Sequence, residues 1–425
     1  MRPIRILFVS NYYPPHGLGG YEQWCQEVAE GLVARGHQVR VLTARRAGER
    51  GGCGTSNGVE LARRLHLEVE GGLVRTVVRL VLARRRVERA DLHHVRSAIR
   101  GFRPEAAVIW GMWNISRSVP ALVEQLLPHR LAYYFCDYWP LLPSAYVQRW
   151  ETPARRVATA APKAALARVF LARLRAEPSP RLRFEQPICV SRAVRHILAD
   201  SGVPVERARI IYGGTQADNP APGHAADRPA RLEPDVRLLY AGRLTPTKGV
   251  HTIIRAMGQL VNDGSREPTL TIIGHGDPDY RRELLRLARA CGVSDRVILQ
   301  DGISRANMPA VLASHDLLVF PSEWEEPFAR VVLEAMAAGL AVVGTTTGGT
   351  GEVLVDEETG LTFPPGDAVA LARQLRRLLE DAPLRQRLAH AAGRRVRREF
   401  SLTRMVDQFE STLLGMAGHG LASAV

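Results

Sequence analysis

Residues 4–43 decide the fold. They read Ile4-Arg-Ile-Leu-Phe-Val-Ser10, then Asn11-Tyr-Tyr-Pro-Pro-His-Gly-Leu-Gly19-Gly20, then a segment from Tyr21 carrying Trp24, Val28 and Leu32, then Val39-Arg-Val-Leu-Thr43. The first run is short and largely apolar, which suits a parallel strand buried on both faces. The second is turn-rich. The third spaces its apolar residues four apart, on one face of a helix, and Gly36 stands where that helix should end. The fourth is strand again. Strand, loop, helix, strand is a βαβ unit, the seed of a doubly wound α/β domain.

Working outward, Ala106–Trp110, Leu131–Phe135 and Pro187–Val190 read as further strands. An Arg-heavy stretch, roughly 145–184, reads as helical. In it Leu166, Val169, Phe170 and Leu174 form an apolar stripe beside Lys163, Arg168, Arg173, Arg175, Arg181 and Arg183. Beyond Ile210-Ile-Tyr-Gly-Gly214 the composition turns to Pro, Ala and Gly, as in a linker. A second alternating series follows, with strands at Val236–Ala241, Leu270–Ile273, Val297–Leu299, Leu317–Phe320 and Ala341–Val343. Val250, Ile253, Ile254, Met257 and Leu260 share one helix face between them.

This pattern predicts an α/β protein of two doubly wound, Rossmann-like domains facing a central cleft. Residues 1–214 form the first domain, 215–235 the linker and 236–400 the second domain. Residues 401–425 form a last helix that crosses back to the first. Ligands should sit beyond the carboxyl ends of the strands.

Size and composition agree. A chain of 425 residues exceeds one ordinary hydrophobic core, and 46% hydrophobic with 24% charged residues is a globular balance. The five cysteines are scattered, without metal-ligand spacing, as expected of free thiols in a reducing compartment. The apolar run Ile6–Val9 is too short for a signal peptide. No stretch of about 18 apolar residues occurs, so the expected location is cytoplasmic. A formal charge of +14 attracts polyanions in general, though an Arg-rich composition gives the same surplus without a partner. No nucleic-acid module accompanies it, and no nucleic-acid partner is expected.

Chemistry concentrates in the second domain. Its first strand ends in Gly242-Arg243-Leu-Thr-Pro-Thr-Lys248-Gly249, ahead of a helix. Two cations past a strand end, beside a helix N-terminus, suit a diphosphate. Gly274-His-Gly276 is a glycine turn that admits a close backbone approach. The sharpest element is Pro321-Ser-Glu-Trp-Glu-Glu326-Pro-Phe328-Ala329-Arg-Val-Val-Leu-Glu334-Ala-Met-Ala-Ala-Gly339. Glu326 lies just before a helix and Glu334 eight residues on, expected about two turns into it. Glu334 sits among apolar neighbours, so its carboxylate needs cations or hydroxyls. The N–H groups near Phe328 and Ala329 can hold phosphate oxygens.

Together with Gly348-Gly-Thr-Gly-Glu352 and Gly360-Leu-Thr-Phe-Pro-Pro-Gly-Asp367, these motifs resemble the donor half of the family-4 retaining glycosyltransferases, over about residues 237–367. The first domain resembles the family more loosely. The resemblance implies transfer of a sugar from a UDP- or GDP-linked donor to a hydroxyl of a glycan, glycolipid or small-molecule acceptor. Arg243 and Lys248 would then bind the donor diphosphate, Glu326 the sugar hydroxyls and Glu334 the ribose. Residues 301–304 would lie near the base, and Gly19-Gly20 would approach the diphosphate from the first domain. Gly242, Gly274, Gly276, Phe328 and Ala329 complete the donor site. No metal or other cofactor is implied, because cations and a helix dipole neutralise the leaving group.

Two positions depart from the family. Ala329 replaces its usual glycine, and Cys136-Asp137 stands where a His, often followed by Asp, is common. Asp137 remains a catalytic candidate, and Trp110-Gly-Met-Trp113-Asn114 a cleft-edge one. The stripe in 163–183 raises the prospect of a peripheral membrane contact and a lipid-linked acceptor. The competing readings are a sugar-nucleotide epimerase or hydrolase on the same scaffold and a basic nucleic-acid-binding protein. Asp277-Pro-Asp279 and Asp91-Leu-His-His94 are set aside as metal sites, and Gly17-Leu-Gly19-Gly20 as a dinucleotide fingerprint.

Overall fold

The computed structural model describes residues 2–17, 19–46, 48–49, 51–153, 157–216, 236–264 and 268–422. The chain forms two compact units. One comprises Met1–Val190, Val194–Ile211 and Val406–Val425, the other Ser191–Ala193 and Tyr212–Met405. Most of the expected linker, residues 217–235, lies outside the described residues; Thr215 bridges to Ser401 within the second unit.

The first unit runs β1 (Arg5–Ser10), α1 (Gly20–Ala34), β2 (Gln38–Ala44), β3 (Gly52–Ser56), β4 (Val59–Leu65), α2 (Leu73–Val78) and α3 (Arg84–Phe102). It continues with β5 (Ala106–Trp110), α4 (Ser118–Leu126), β6 (Leu131–Phe135), α5 (Ala145–Glu151), α6 (Val157–Ala176), β7 (Gln186–Cys189), α7 (Arg192–Asp200) and β8 (Arg209–Ile210). The strand order is β3-β4-β2-β1-β5-β6-β7-β8. Every residue of β5 and β6 is buried, as expected of parallel strands covered on both faces. On α1, Trp24, Val28 and Leu32 are buried together.

The second unit runs β9 (Arg237–Ala241), α8 (Val250–Asn262), β10 (Thr269–Ile273), α9 (Pro278–Ala290), β11 (Val297–Gln300) and α10 (Met308–Ala313). It continues with β12 (Leu317–Phe320), α11 (Arg330–Ala337), β13 (Ala341–Gly344), β14 (Leu361–Thr362), α12 (Ala368–Glu380), α13 (Ala382–Glu399) and α14 (Leu402–Ala422). Its order is β11-β10-β9-β12-β13-β14, with every pairing parallel. The apolar face of α8 closes one side of the core, and Leu371, Leu375 and Leu378 of α12 pack in the same cluster. From Val406 onward α14 belongs to the first unit, where Phe409 stacks on Trp110 at 5.2 Å and Glu410 pairs with Arg35 at 2.5 Å.

Two features differ from the sequence expectation. Antiparallel β3 and β4 form a hairpin at the sheet edge, turned by Asn57-Gly58 with φ of 49° and 79°. That is the left-handed pair a tight hairpin needs. The stretch 145–184 is not continuous helix: it breaks after Glu151 and ends at Ala176, ahead of Pro178 and Pro180. Within its stripe Leu166 and Val169 are exposed, while Phe170 stacks on Trp150 at 4.9 Å.

Candidate functional site

In an open parallel sheet the winding reverses where two strands adjacent in space are distant in sequence, and the loops at their carboxyl ends part to leave a crevice. In the second unit that point lies between β9 and β12. The loop after β9 carries Gly242–Gly249 and the loop after β12 carries Pro321–Ala329, so strand order alone brings the two main motifs together.

Lys248 and Glu326 form an ion pair there, with side chains 13% and 12% exposed. Ser322 donates its hydroxyl to the same carboxylate oxygen at 2.7 Å. Glu326 is thus a buried carboxylate held by one cation and one hydroxyl, which meets the requirement that a buried charge be paired. The Lys248 ammonium also lies 5.8 Å from the ring centre of Trp324, a cation–π distance. Burial, then the charge of Glu326, pushes the Tyr240 hydroxyl well above its usual range. That hydroxyl donates to the Arg243 carbonyl at 2.8 Å and fixes the loop. The Arg243 side chain itself is exposed.

The loop after β13 braces this turn. Thr345 donates to the Ser322 carbonyl at 2.6 Å and Thr347 to the same oxygen at 3.2 Å. Gly349 N–H donates to the Glu326 carbonyl at 2.7 Å. Gly348 has φ of 56°, and a Cβ there would stand 2.2 Å from the Glu326 carbonyl oxygen. The Gly348-Gly349 motif is therefore read as a backbone clamp on Glu326. The loop after β10 is equally close: a Cβ on Gly274 would lie 1.8 Å from the Gly242 carbonyl oxygen.

Glu334 forms a separate cluster. Because α11 starts at Arg330, Glu334 stands little more than one turn into the helix, not two. Its Oε1 accepts from Arg330 Nε and from Arg305 Nη1, each at 2.7 Å. The partners its burial demanded are thus arginines. Arg330, i and i+4 to Glu334, was legible in the sequence; Arg305, from the segment following β11, carried no signal. Ala329 has φ of −85°, so the residue replacing the usual glycine strains nothing. His251 of α8, also missed, lies 3.0 Å from the Tyr280 hydroxyl and 3.3 Å from Glu323; burial lowers its pKa.

In the first unit the reversal lies between β1 and β5. Gly19 caps α1 and Gly20 opens it. Glu22 of that helix is fully buried, and a Cβ on Gly19 would meet its Oε2 at 3.4 Å. Asp137, half-buried just after β6, accepts from Trp139 N–H at 3.0 Å. Burial first, and the charge of Glu22 after it, push its carboxyl up to about 6. Burial holds the neighbouring Cys136 thiol well above its usual pKa, so a neutral thiol stands at the position the resemblance assigns to His.

Asp91 accepts from the His66 ring at 2.7 Å, and Asp277 caps α9. Among the described residues no cluster of three or more His, Cys, Asp or Glu could hold a metal ion, and no helix is long and apolar enough to cross a membrane.

Residues 226–395 match the family described as glycosyl transferases group 1. Glycogen synthase of Mycobacterium tuberculosis is 38% identical over 185 residues, 41% of this chain and 41% of its own length. The chain therefore matches well under half of that relative. Sucrose-phosphate synthase of Thermosynechococcus elongatus superposes over 100% of both chains, with a TM-score of 0.70 at 21% identity. HepE of Anabaena, solved in complex with UDP-glucose, superposes over 97% of this chain and 100% of its own, with a TM-score of 0.64 at 19% identity. The fold is that of the two-Rossmann-domain glycosyltransferases, and the second unit carries the group 1 match.

Proposed function

We propose that the protein is a retaining glycosyltransferase that takes a sugar from a nucleotide diphosphate donor and places it on an acceptor hydroxyl. The observation that carries this reading is the Lys248–Glu326–Ser322 group at the winding reversal of the second unit. A diphosphate competes for the ammonium, which frees the Glu326 carboxylate to accept from hydroxyls of the attached sugar. Arg243 and the start of α11 add positive potential for the departing phosphate. Glu334, oriented by its two arginines, accepts from ribose hydroxyls.

Retention follows if the acceptor hydroxyl attacks on the face the nucleotide leaves, its proton passing to the leaving phosphate. Asp137 would then contact the reacting sugar, and no dedicated enzymic base is required. The exposed Leu166 and Val169, set beside Arg168, Arg173 and Arg175, support a peripheral contact with an anionic bilayer.

The test is thermal denaturation with UDP, GDP, UDP-glucose and GDP-mannose. A bound nucleotide raises the midpoint by mass action. Stabilisation by one nucleotide class, abolished in Lys248→Ala, supports the reading. No response to any of the four sinks it.

A further inference from the structure

The reversal point of the first unit carries a group that donor binding leaves unused. Tyr12 follows β1 and Trp113 follows β5, and because those strands are adjacent the two rings meet, 6.3 Å apart and inclined at 50°. Both are half-buried, each leaving part of its ring to solvent.

The loop that carries them is fixed from several sides. Trp113 Nε1 donates to the Tyr21 hydroxyl at 2.7 Å, and Trp110 Nε1 to the Tyr21 carbonyl at 2.9 Å. Asn114 exchanges side-chain hydrogen bonds with the Val69 backbone, at 3.0 Å in each direction. Asn11 N–H donates to the Gly111 carbonyl at 3.2 Å. An indole held this firmly beside a second ring, and still partly open, is a preformed surface.

Chemistry narrows what it can take. Two aromatic faces inclined to one another suit a ring that offers an apolar C–H face.

We infer that Tyr12 and Trp113 form the acceptor platform, and that the acceptor presents to it the C–H face of a sugar or cyclitol ring. This inference rests on the glycosyltransferase reading above and names the substrate class of its acceptor side.

The experiment is saturation-transfer NMR on the full chain with methyl α-glucopyranoside, methyl α-mannopyranoside, methyl β-galactopyranoside, myo-inositol and glucose. At least one of these rings should receive saturation through its C–H protons. The signal should fall at least fivefold in Trp113→Leu and return in Trp113→Phe.

No binding by any of these rings, or an unchanged signal in Trp113→Leu, would each overturn the inference. Should Trp113→Leu fail to fold, Tyr12→Ser reads the same surface. Stabilisation by nucleotides is recorded on the same samples. If it is absent while a sugar still binds at Trp113, the donor reading fails and the platform stands; the reverse pattern fails the platform alone.

Discussion

Arg330 Nε donates to Glu334 Oε1 at 2.7 Å across one turn of α11, and the two side chains are only 7% and 11% exposed. Removing one member of a buried ion pair strands the other, at about 3–5 kcal/mol. Arg305 still reaches the same oxygen, so Arg330→Met should cost roughly 2–3 kcal/mol, seen as a lower urea midpoint. Arg305 is 40% exposed, and Arg305→Ala should cost less than about 1 kcal/mol. Both variants should weaken nucleotide binding by titration calorimetry. Equal stability losses would show that burial is not what separates the two arginines.

Lys248 and Glu326 should behave as a coupled unit. Lys248→Met leaves the Glu326 carboxylate with Ser322, and Glu326→Gln leaves the ammonium without its counter-charge. Residues in direct contact couple by about 0.5–3 kcal/mol. The double variant should therefore be more stable than the sum of the single losses predicts, as measured by chemical denaturation. Transfer rate in Lys248→Met should fall by about a hundredfold or more, the usual scale for losing a group that stabilises developing charge. Additive stabilities would mean that the pair contributes nothing as a pair.

Where the sequence was legible, one period or one motif did the work. The strands at 106–110, 131–135 and 317–320 are short apolar runs flanked by turns, and each falls within the residues read for it. Lys248 and Glu326 meet because β9 and β12 are neighbours. Doubly wound topology fixes that adjacency, although 78 residues separate the pair in sequence. The Asn57-Gly58 hairpin was written in the sequence and overlooked, because Gly52–Ser56 lacks the apolar alternation that marks a strand. Arg305 was not legible: its role depends on where the segment after β11 comes down relative to α11. The exposure of Val169 was equally hidden, since helical spacing shows that residues share a face and not that the face is covered.

Gly274 should tolerate no side chain. A Cβ there would stand 1.8 Å from the Gly242 carbonyl oxygen, so one of two adjacent strand ends must move. Gly274→Ala should destabilise by about 2 kcal/mol or more, within the tail that backbone clashes produce. Because Gly242 opens the Arg243–Lys248 loop, nucleotide affinity should fall with it. Gly264→Ala offers the contrast, since nothing lies within 4 Å of a Cβ there; its φ of 67° leaves only conformational strain. Equal affinity in Gly274→Ala and wild type would detach this turn from the nucleotide site.

Asp137 gives a stability test whose sign is fixed in advance. Its carboxyl is pushed up from 3.8 to about 6, by burial first and then by Glu22, against the opposing Trp139 N–H. Below about pH 3 it is neutral whether the chain is folded or not, and it costs nothing. As pH rises from 3.8 to about 6 the unfolded chain ionises while the folded state still holds its proton, so stability is lost across that window and stays lost above it. A displacement of this size corresponds to about 3 kcal/mol. Solvent reaches a half-buried side chain, and the realised cost should be nearer 1–2 kcal/mol. Asp137→Asn keeps an oxygen for Trp139 N–H and removes the charge. It should therefore be more stable than wild type at pH 8 by that amount and indistinguishable from it at pH 3, as read from denaturation midpoints. If Asp137 also faces the reacting sugar, the stabilised variant should transfer at least tenfold more slowly, the exchange of stability for activity expected where a charge is retained for function. An Asn variant no more stable at pH 8 would show that the carboxyl is hydrated; one that gained stability and kept its rate would make Asp137 a strand-end cap.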